Sequence, residues 1–424
     1  MSTAVESTTS RRAISVLIAS NLLGGVGVAS GVAVGGLLAE RLGGTSVAGL
    51  GQAASVLGAA IAAVPLARVA ARAGRRRSLT VGYAIATVGA VTIVTAAVVD
   101  QLLVLLAGLG LFGVAQAVNL QSRYAAGENA PAASRGRTMA IVIWATTIGS
   151  VAGPNLSEPG NRVGVAAGLP TLAGPYLFSL VAFALATLVI GLGYPRLVRS
   201  RPAAEPADQR EAPIAPVGTW AALRWASRHA VARFAVVLIA CAHAVMVMIM
   251  VMTPVHMQHH GMSLTVVGVV ISLHILGMFG LSPVFGWCAD KLGGVRTGAL
   301  GMALIAVAVV LGLLAAQAGG TGVLTAVALT VLGIGWSASV IGASALLATA
   351  TDEHVRVPLQ GATDAGMNYA GAGAAALAGP ILAWGGFTAV NLAGAMLLVP
   401  AVLALVAALA AQRSPTSPAG SGRP

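Results

Sequence analysis

Methionine and histidine side chains crowd residues 245–260, which read VMVMIMVMTPVHMQHH. Thioether sulfur and imidazole nitrogen are ligands that suit a soft ion such as Cu(I). The alternative is that methionine simply fills space in an apolar segment. Seven of the twelve methionines and five of the seven histidines lie between residues 243 and 278, and this clustering favours a ligand role.

Two of these pairs have the spacing that places side chains on one face of a helix. Met246 and Met250 are four residues apart in one apolar run, and His274 and Met278 are four apart in the next. The intervening Met248 and Met252 fall on nearly the opposite face, so we expect them to contact lipid or pack against other helices.

The two runs are antiparallel if the chain reverses within residues 255–262. His243 would then lie opposite His274 near the membrane midplane, with Met246 and Met250 further out and Met278 further in. We therefore expect a ladder of sites with His243, Met246 and His274 at its centre. Four residues near the turn would form an outer collecting rim, for which an ordinary hydrated loop is the alternative: Met257, His259, His260 and Met262.

The composition of the chain indicates that these helices lie in a lipid bilayer. Of 424 residues, 57% are hydrophobic and 8% are charged, and the mean hydropathy is +0.89. A soluble domain has about 25% charged residues, and a membrane-spanning helix needs about 20 apolar residues. Twelve such runs are present, at about 13–38, 46–67, 78–98, 101–122, 137–156, 172–195, 232–254, 263–286, 297–316, 321–349, 358–382 and 387–411.

The net charge of +12 is distributed as an orientation signal. If the spans alternate from a cytoplasmic N-terminus, 22 of the 24 lysines and arginines fall at the cytoplasmic side, and only Arg41 and Arg162 fall outside. This predicts a multi-pass protein of the cytoplasmic membrane with both termini in the cytoplasm. The partners we expect are the lipid bilayer and a small-molecule or metal-ion substrate, with no nucleic acid. Cys241 and Cys288 lie in or beside predicted helices, so no disulfide is expected.

A polar, proline-rich segment, 197–231, divides the chain. We predict an N-terminal six-helix bundle at 1–196, a flexible cytoplasmic linker at 197–231, a C-terminal six-helix bundle at 232–412 and a disordered tail at 413–424. Similar loops, ARVAARAGRRRSL (67–79) and GWCADKLGGVRTG (286–298), recur about 220 residues apart. Such a duplication indicates a transporter with its substrate site near the midplane between the halves.

These loops resemble the glycine- and arginine-rich loop of the major facilitator superfamily. The resemblance implies an all-α membrane protein of twelve transmembrane helices in two pseudo-symmetric bundles, working by alternating access as a monomer. It also implies that the loops act as a conformational latch, although arginines that only determine topology are the alternative for the first loop. The matching residues are Gly286, Asp290, Lys291, Gly293 and Arg296 in the second copy and Arg72, Gly74, Arg75 and Arg76 in the first, where Ala67 and Ala71 replace the expected Gly and Asp.

The Met-x-x-x-Met and His-x-x-x-Met pairs resemble those of the CcoA-like copper importers of this superfamily. The resemblance implies copper uptake through Met246, Met250, His274 and Met278. Proteins resembling flavin transporters belong to the same branch, so uptake or proton-driven efflux of a small organic solute, such as a flavin or a drug, stays open. Gly153–Pro154 resembles a motif of proton-coupled drug antiporters, and a simple helix kink is the alternative.

Asp364 is the one acidic residue clearly inside a predicted span. A carboxylate at this depth is costly, which makes Asp364 a candidate for proton coupling. The alternative is a structural partner for a basic residue such as Arg123. Trp144 and Trp336 also fall in mid-span, where they either line a cavity for a planar ligand or pack against other helices.

Motifs of catalysis are missing from the sequence. It has no phosphate-binding glycine loop, no nucleophile triad and no zinc-type CxxC. The sequence therefore predicts that the protein is not an enzyme and needs no cofactor, and copper enters only as a candidate substrate.

Overall fold

A computed structural model describes residues 2–130, 135–195, 218–319, 322–349 and 353–413. These segments are almost entirely helical and include no β-strand. Much of the expected linker and nearly all of the expected tail lie outside the described residues. The part of the linker that is described is not irregular, because a helix runs over Thr219–Arg228 and buries Ala222 and Ala226.

The N-terminal half begins with the longest unbroken helix of that half and ends in a π-helical turn. Short 3-10 turns lie at Thr45–Val47 and Gly153–Leu156, and the π turn is Val189–Gly193. The helices are α1 (Ser2–Gly43), α2 (Leu50–Ala73), α3 (Arg75–Val99), α4 (Leu102–Glu128), α5 (Arg135–Ala152), α6 (Ser157–Ala166) and α7 (Pro175–Leu188).

The C-terminal half repeats this arrangement after the amphipathic helix α8 (Thr219–Arg228). One span is divided between α10 and α11, and α14 bends at Gly385 and Gly386, which separates two spans. The helices are α9 (Ala230–His259), α10 (Leu264–Gly280), α11 (Ser282–Leu292), α12 (Gly294–Gln317), α13 (Gly322–Thr349) and α14 (Glu353–Arg413).

Ten helical segments in the described parts of the chain are long and apolar enough to cross a membrane. The bend in α14 divides its segment, Pro358–Gln412, into two spans. The remaining predicted span corresponds to α5, whose two arginines, Arg135 and Arg137, lower its mean hydropathy. The helices therefore agree with the twelve predicted runs.

The two duplicated loops have the same backbone. Gly74 joins α2 to α3 at φ 88° and ψ 159°, and Gly293 joins α11 to α12 at φ 84° and ψ 154°. Each glycine donates its N–H to a carbonyl of the preceding helix, Ala70 or Ala289. A side chain at this positive φ is strained, so the glycines permit a one-residue reversal between two long helices.

The halves pack tightly at the end of the bundle opposite the arginine-rich loops. At Gly49 a Cβ atom would overlap the carbonyl oxygen of Ala375, and at Gly379 it would meet the carbonyl of Ser46 at 2.5 Å. A Cβ on Gly268 would lie 2.6 Å from the carbonyl oxygen of Pro154. Small residues thus allow backbone-to-backbone contact between the halves at this opposite end.

Polar contacts reinforce the same seam. Asn155 donates from Nδ2 to the Ser272 hydroxyl at 2.8 Å, and that hydroxyl donates to the Val151 carbonyl at 2.6 Å. The carbonyl of Val151 is available because the 3-10 turn at Gly153–Leu156, with Pro154 near its start, interrupts the helix. The Gly-Pro pair therefore ends α5 and forms part of the seam.

Toward the arginine-rich end the facing surfaces separate. On α5, Trp144 lies two turns from Val151 along the stripe that meets α10, and its side chain is 55% exposed. On α14, Tyr369 is 63% exposed at the same end. The bundle is therefore closed at the opposite end and open at the arginine-rich end.

Candidate functional site

The register of α9 and α10 places the four motif residues in two level pairs. Helix α9 ends at His259 and α10 begins at Leu264. A residue of α9 and a residue of α10 therefore lie at the same depth when each is the same number of residues away from its own helix end at the turn. By that count Met250 lies within one residue, about 1.5 Å of rise, of the level of His274. Met246 lies equally close to the level of Met278. The expected ladder is therefore two steps, each with one residue from each helix.

His243 does not lie opposite His274, contrary to the sequence expectation. The turn lies at residues 260–263, at the far end of the expected segment, because α9 continues through Pro254 to His259. This shifts the register by six residues, and His243 lies about 9 Å deeper toward the arginine-rich end than His274. The contacts agree, since His243 meets Trp336 of α13 whereas His274 meets Leu329, two turns away on the same helix.

His274 has the hydrogen bonding of a metal-ligating histidine. It is fully buried, and its Nδ1–H donates to the backbone carbonyl of Leu329 at 2.7 Å. This bond fixes the proton on Nδ1 and leaves a lone pair on Nε2. Nε2 is buried and has no hydrogen-bond partner among the described residues. A buried unpaired acceptor is costly, and a carbonyl that orients the imidazole is typical of metal ligands.

Met250 lies at the boundary between the halves. It lines a small enclosed cavity of about 20 Å³ with Ile271 of α10 and with residues of α1, α2 and α4, including Gly51 and Phe112. The seam described above closes the bundle beyond this cavity. Met246, one turn away, is 3% exposed. In the outer step His274 is therefore fully buried while Met250 is half-buried beside this cavity.

Met248 and Met252 have no access to lipid. Their exposed fractions are 2% and 0%. Both side chains pack within the helical core. Of the two expected roles, lipid contact and packing against other helices, the structure therefore supports packing.

The expected outer rim does not form a shared surface in this conformation. Met257 is fully buried, and His259 donates from Nε2 to a carboxylate oxygen of Glu40 at 2.7 Å. His260 donates from Nδ1 to the carbonyl of His256, whose ring stacks on Phe387 with centroids 4.3 Å apart. Of the four residues, Met257 and His259 belong to α9, which ends at His259, so their side chains are distributed around a helix and do not line one loop.

His243 belongs to a second, aromatic group. Trp336 donates from Nε1 to His243 Nδ1 at 3.2 Å, so neutral His243 carries its proton on Nε2. The ring of Phe279 meets Trp336 edge-on with centroids 6.1 Å apart. A Cβ on Gly371 of α14 would lie 2.8 Å from His243 Nε2. Sequence reasoning missed Phe279 and Gly371, whose roles depend on the later turn and on helix packing.

Asp364 faces the cleft. It lies three turns from Ala375, on the stripe of α14 that meets the N-terminal half at the seam, and it is exposed. Asn368, one turn further, donates from Nδ2 to the Asp364 carbonyl at 2.8 Å. The side chain of Arg123, named above as an alternative partner, lies outside the described part of the chain.

The first arginine-rich loop is tied to its own half. Arg75 binds Glu128, at the end of α4, through Nη2 at 2.6 Å and Nε at 3.1 Å. Arg76 donates to the carbonyl of Gly191. Sequence reasoning missed Glu128, because the predicted run stopped at residue 122 whereas α4 continues to Glu128. Arg72 is exposed.

The second loop makes fewer contacts. Asp290 and Arg296 are exposed, and neither forms an ion pair with a residue that the structure describes. No heavy atom lies within 4 Å of a Cβ built on Gly286, so no other helix packs closely against this glycine in this conformation. The open arginine-rich end accounts for this, since a latch across the halves needs them to meet there.

Within the described residues, no three His, Cys, Asp or Glu side chains are grouped as a metal site.

Two helical bundles that share a duplicated loop and pack along one seam have the architecture of a secondary transporter. The family model described as Major Facilitator Superfamily matches residues 13–363 and 235–424, so the chain belongs to that superfamily. Its members are transporters and not enzymes.

Three similar proteins align with nearly the whole chain. The chain is 35% identical to the uncharacterized MFS-type transporter YdeG of Bacillus subtilis, over 93% of this chain and 91% of the relative. It is 33% identical to YddS of the same species, over 93% and 90%. It is 27% identical to the riboflavin transporter RfnT of Brucella anthropi, over 94% and 97%.

Solved structures share the fold. A bacterial homologue of the human lysosomal transporter Spinster, in an inward-facing and unoccupied conformation, has a TM-score of 0.68 at 14% identity and covers 96% of this chain and 99% of its own. A POT family transporter in complex with 5-aminolevulinic acid also scores 0.68, at 12% identity, covering 94% and 96%.

Proposed function

We propose that this transporter takes up copper, as Cu(I), through the two Met–His steps of α9 and α10. The observation that carries the proposal is the buried, unprotonated and unpaired Nε2 of His274. It lies within about 1.5 Å in depth of Met250, and Met278 follows it by one helical turn. A thioether binds a soft ion without releasing a proton, so the ion can pass from Met250 and His274 to Met246 and Met278.

The orientation of the chain gives this path its direction. The arginine-rich end carries the positive charge that marks the cytoplasmic side of a membrane protein, and we propose that this end and both termini face the cytoplasm. The structure is then closed to the outside and open to the cytoplasm. Labelling of a cysteine introduced at Gly261 by a membrane-impermeant maleimide in intact cells supports this orientation, and labelling only after lysis overturns it.

Isosteric replacements test the copper site with little change in packing, because leucine matches methionine in volume. Met246→Leu and Met278→Leu should each lower Cu(I) accumulation about tenfold, and His274→Gln should lower it at least as much. Met248→Leu and Met252→Leu are matched controls on the packing face of the same helix and should change uptake less than twofold. Full copper uptake by the combined Met246→Leu, Met250→Leu, His274→Gln and Met278→Leu variant contradicts the proposal.

A second candidate is transport of a planar organic solute. The observation that favours it is the aromatic group at the inner step, where Trp336 meets both His243 and Phe279. The Nε2–H of neutral His243 has no hydrogen-bond partner among the described residues, so it can donate to a solute. The similarity to the riboflavin transporter RfnT makes a flavin the solute to test first.

The same strains separate the two candidates. Accumulation of copper and of radiolabelled riboflavin is measured in cells that lack or carry the gene. Copper transport requires that the leucine variants lose copper uptake and that riboflavin uptake is independent of the gene. Riboflavin uptake that depends on the gene, together with copper uptake that does not, supports transport of the organic solute at the aromatic group and contradicts copper transport.

A further inference from the structure

A basic groove lies on the N-terminal half where α2 turns into α3. Its volume is about 1010 Å³, and it is bordered by α2, α3, the end of α4 and the end of α7. Four arginines line it against a single glutamate: Arg72, Arg75, Arg76 and Arg77 against Glu128. This charge is separate from the Met–His steps and is not used by the proposed transport path.

Two of the arginines are already engaged and two are available. Arg75 neutralises Glu128 in a two-point ion pair, and Arg76 binds the Gly191 carbonyl. Arg72 and Arg77 are exposed, and neither guanidinium is paired with a residue that the structure describes. The groove therefore presents two free cationic groups with its one acid already compensated.

Further donors surround these guanidinium groups. Helix α3 begins at Arg75 without a side-chain cap, so the positive end of its dipole opens into the groove. The Thr80 hydroxyl lines the groove and has no hydrogen-bond partner in the described structure. Tyr194 accepts a hydrogen bond from Asn129 at 2.7 Å, and burial raises its pKa, so its phenol keeps a proton to donate. These groups suit a phosphate group.

The wall beside the groove is apolar and exposed. Val81, Leu188 and Leu192 have exposed fractions of 44%, 54% and 76%. They lie on α3 and at the end of the span that includes α7, and in a membrane protein such a surface faces acyl chains. A ligand with a phosphate headgroup and apolar tails would contact both surfaces at once.

The C-terminal half shows that this charge is not required by the loop. The backbones at Gly74 and Gly293 are alike, yet Gly294 and Val295 stand where Arg75 and Arg76 follow Gly74. Asp290 stands where the first loop has Ala71. The second loop therefore has less positive charge on the same turn, and it provides a matched control.

We infer that the α2–α3 groove is a binding site for an anionic phospholipid, with its phosphate at Arg72 and Arg77 and its acyl chains along Val81 and Leu192. The full-length transporter, purified in detergent, is titrated with phosphatidylglycerol, and bound lipid is counted by native mass spectrometry. Phosphatidylcholine with the same acyl chains should bind at least tenfold more weakly.

Paired substitutions locate the site. Arg72→Gln with Arg77→Gln should weaken phosphatidylglycerol binding by roughly 25-fold, from roughly fivefold for each arginine near an anionic headgroup. Lys291→Gln with Arg296→Gln removes the same charge from the equivalent positions of the second loop and should change binding less than twofold. The thermal unfolding midpoint of each variant establishes that it is folded, and Arg72→Lys with Arg77→Lys should restore most of the binding.

Three results overturn the inference. Equal losses from the two glutamine pairs assign the binding to general surface charge. Unchanged binding by a folded Arg72→Gln, Arg77→Gln variant removes the site. Displacement of phosphatidylglycerol by an equal concentration of inorganic phosphate shows that the groove binds phosphate without using lipid chains.

Discussion

Glu40 and His259 join the two halves of the transporter at its closed end. His259 Nε2 donates to Glu40 Oε1 at 2.7 Å, and the same oxygen accepts a hydrogen bond from Thr45 at 2.6 Å. Glu40 lies at the end of α1 and His259 at the end of α9. Opening of this end has to separate α1 from α9, so the contact favours the conformation that is closed there.

Loss of the charge on Glu40 should weaken this closure. Because the His259 side chain is 48% exposed, its contact with the carboxylate is worth only about 0.5 kcal/mol. Glu40→Gln should therefore raise the population open at this end roughly twofold. Electron–electron distances between spin labels at positions 165 and 323, in a variant without native cysteines, measure the two populations.

Asp100→Asn is the control for this change. It removes the Arg41–Asp100 ion pair, which lies within one half at the same end and has an N–O distance of 3.4 Å. The distance distribution should then stay that of the parent protein. An equal shift in both variants would show that charge at this end, and not the cross-half pair, sets the equilibrium.

A bulky residue at Gly49 should prevent closure altogether. A Cβ there already overlaps the carbonyl of Ala375, and overpacking of this kind costs about 1–3 kcal/mol. Gly49→Leu should move the same spin-label distances to the open population and stop transport, while substrate binding from that side is kept. Gly373→Leu, on α14 where no atom lies within 4 Å of a Cβ, should leave both unchanged. A closed Gly49→Leu protein would contradict this account of the seam.

The sequence predicted the architecture well because its signals are long. Apolar runs of about 20 residues and an asymmetric distribution of arginine define spans without knowledge of packing. Site geometry depends on shorter distances. Placing the end of the helix at Pro254 rather than at His259 moved His243 by six residues relative to α10, and it concealed its neighbour Phe279. Proline inside a membrane helix is tolerated, so it marked no boundary.

Trp336→Phe tests whether the indole orients His243. The substitution keeps an aromatic ring beside Phe279 but removes the Nε1–H that His243 accepts at 3.2 Å. The loss of one hydrogen bond, about 1 kcal/mol, should weaken the affinity for a planar solute about fivefold. Copper accumulation should change less than twofold, because His274 is two turns away along α13 from this contact. A large loss of copper uptake would place both groups in one site.

Asp364 provides the test of proton coupling. Its exposed carboxylate faces the cleft on the stripe of α14 that closes against the N-terminal half, so its charge would enter the interface whenever the arginine-rich end closes. Protonation would remove that cost, which links closure to a proton.

Asp364→Asn mimics the protonated state permanently. The variant should therefore lose accumulation driven by a pH gradient but keep counterflow exchange of substrate, which needs no net proton movement. Both are measured in proteoliposomes, with Asn368→Ala as a control one turn away that leaves the titratable group in place. Accumulation that still follows the pH gradient in a folded Asp364→Asn protein would exclude the coupling role, and loss of folding would identify a structural carboxylate instead.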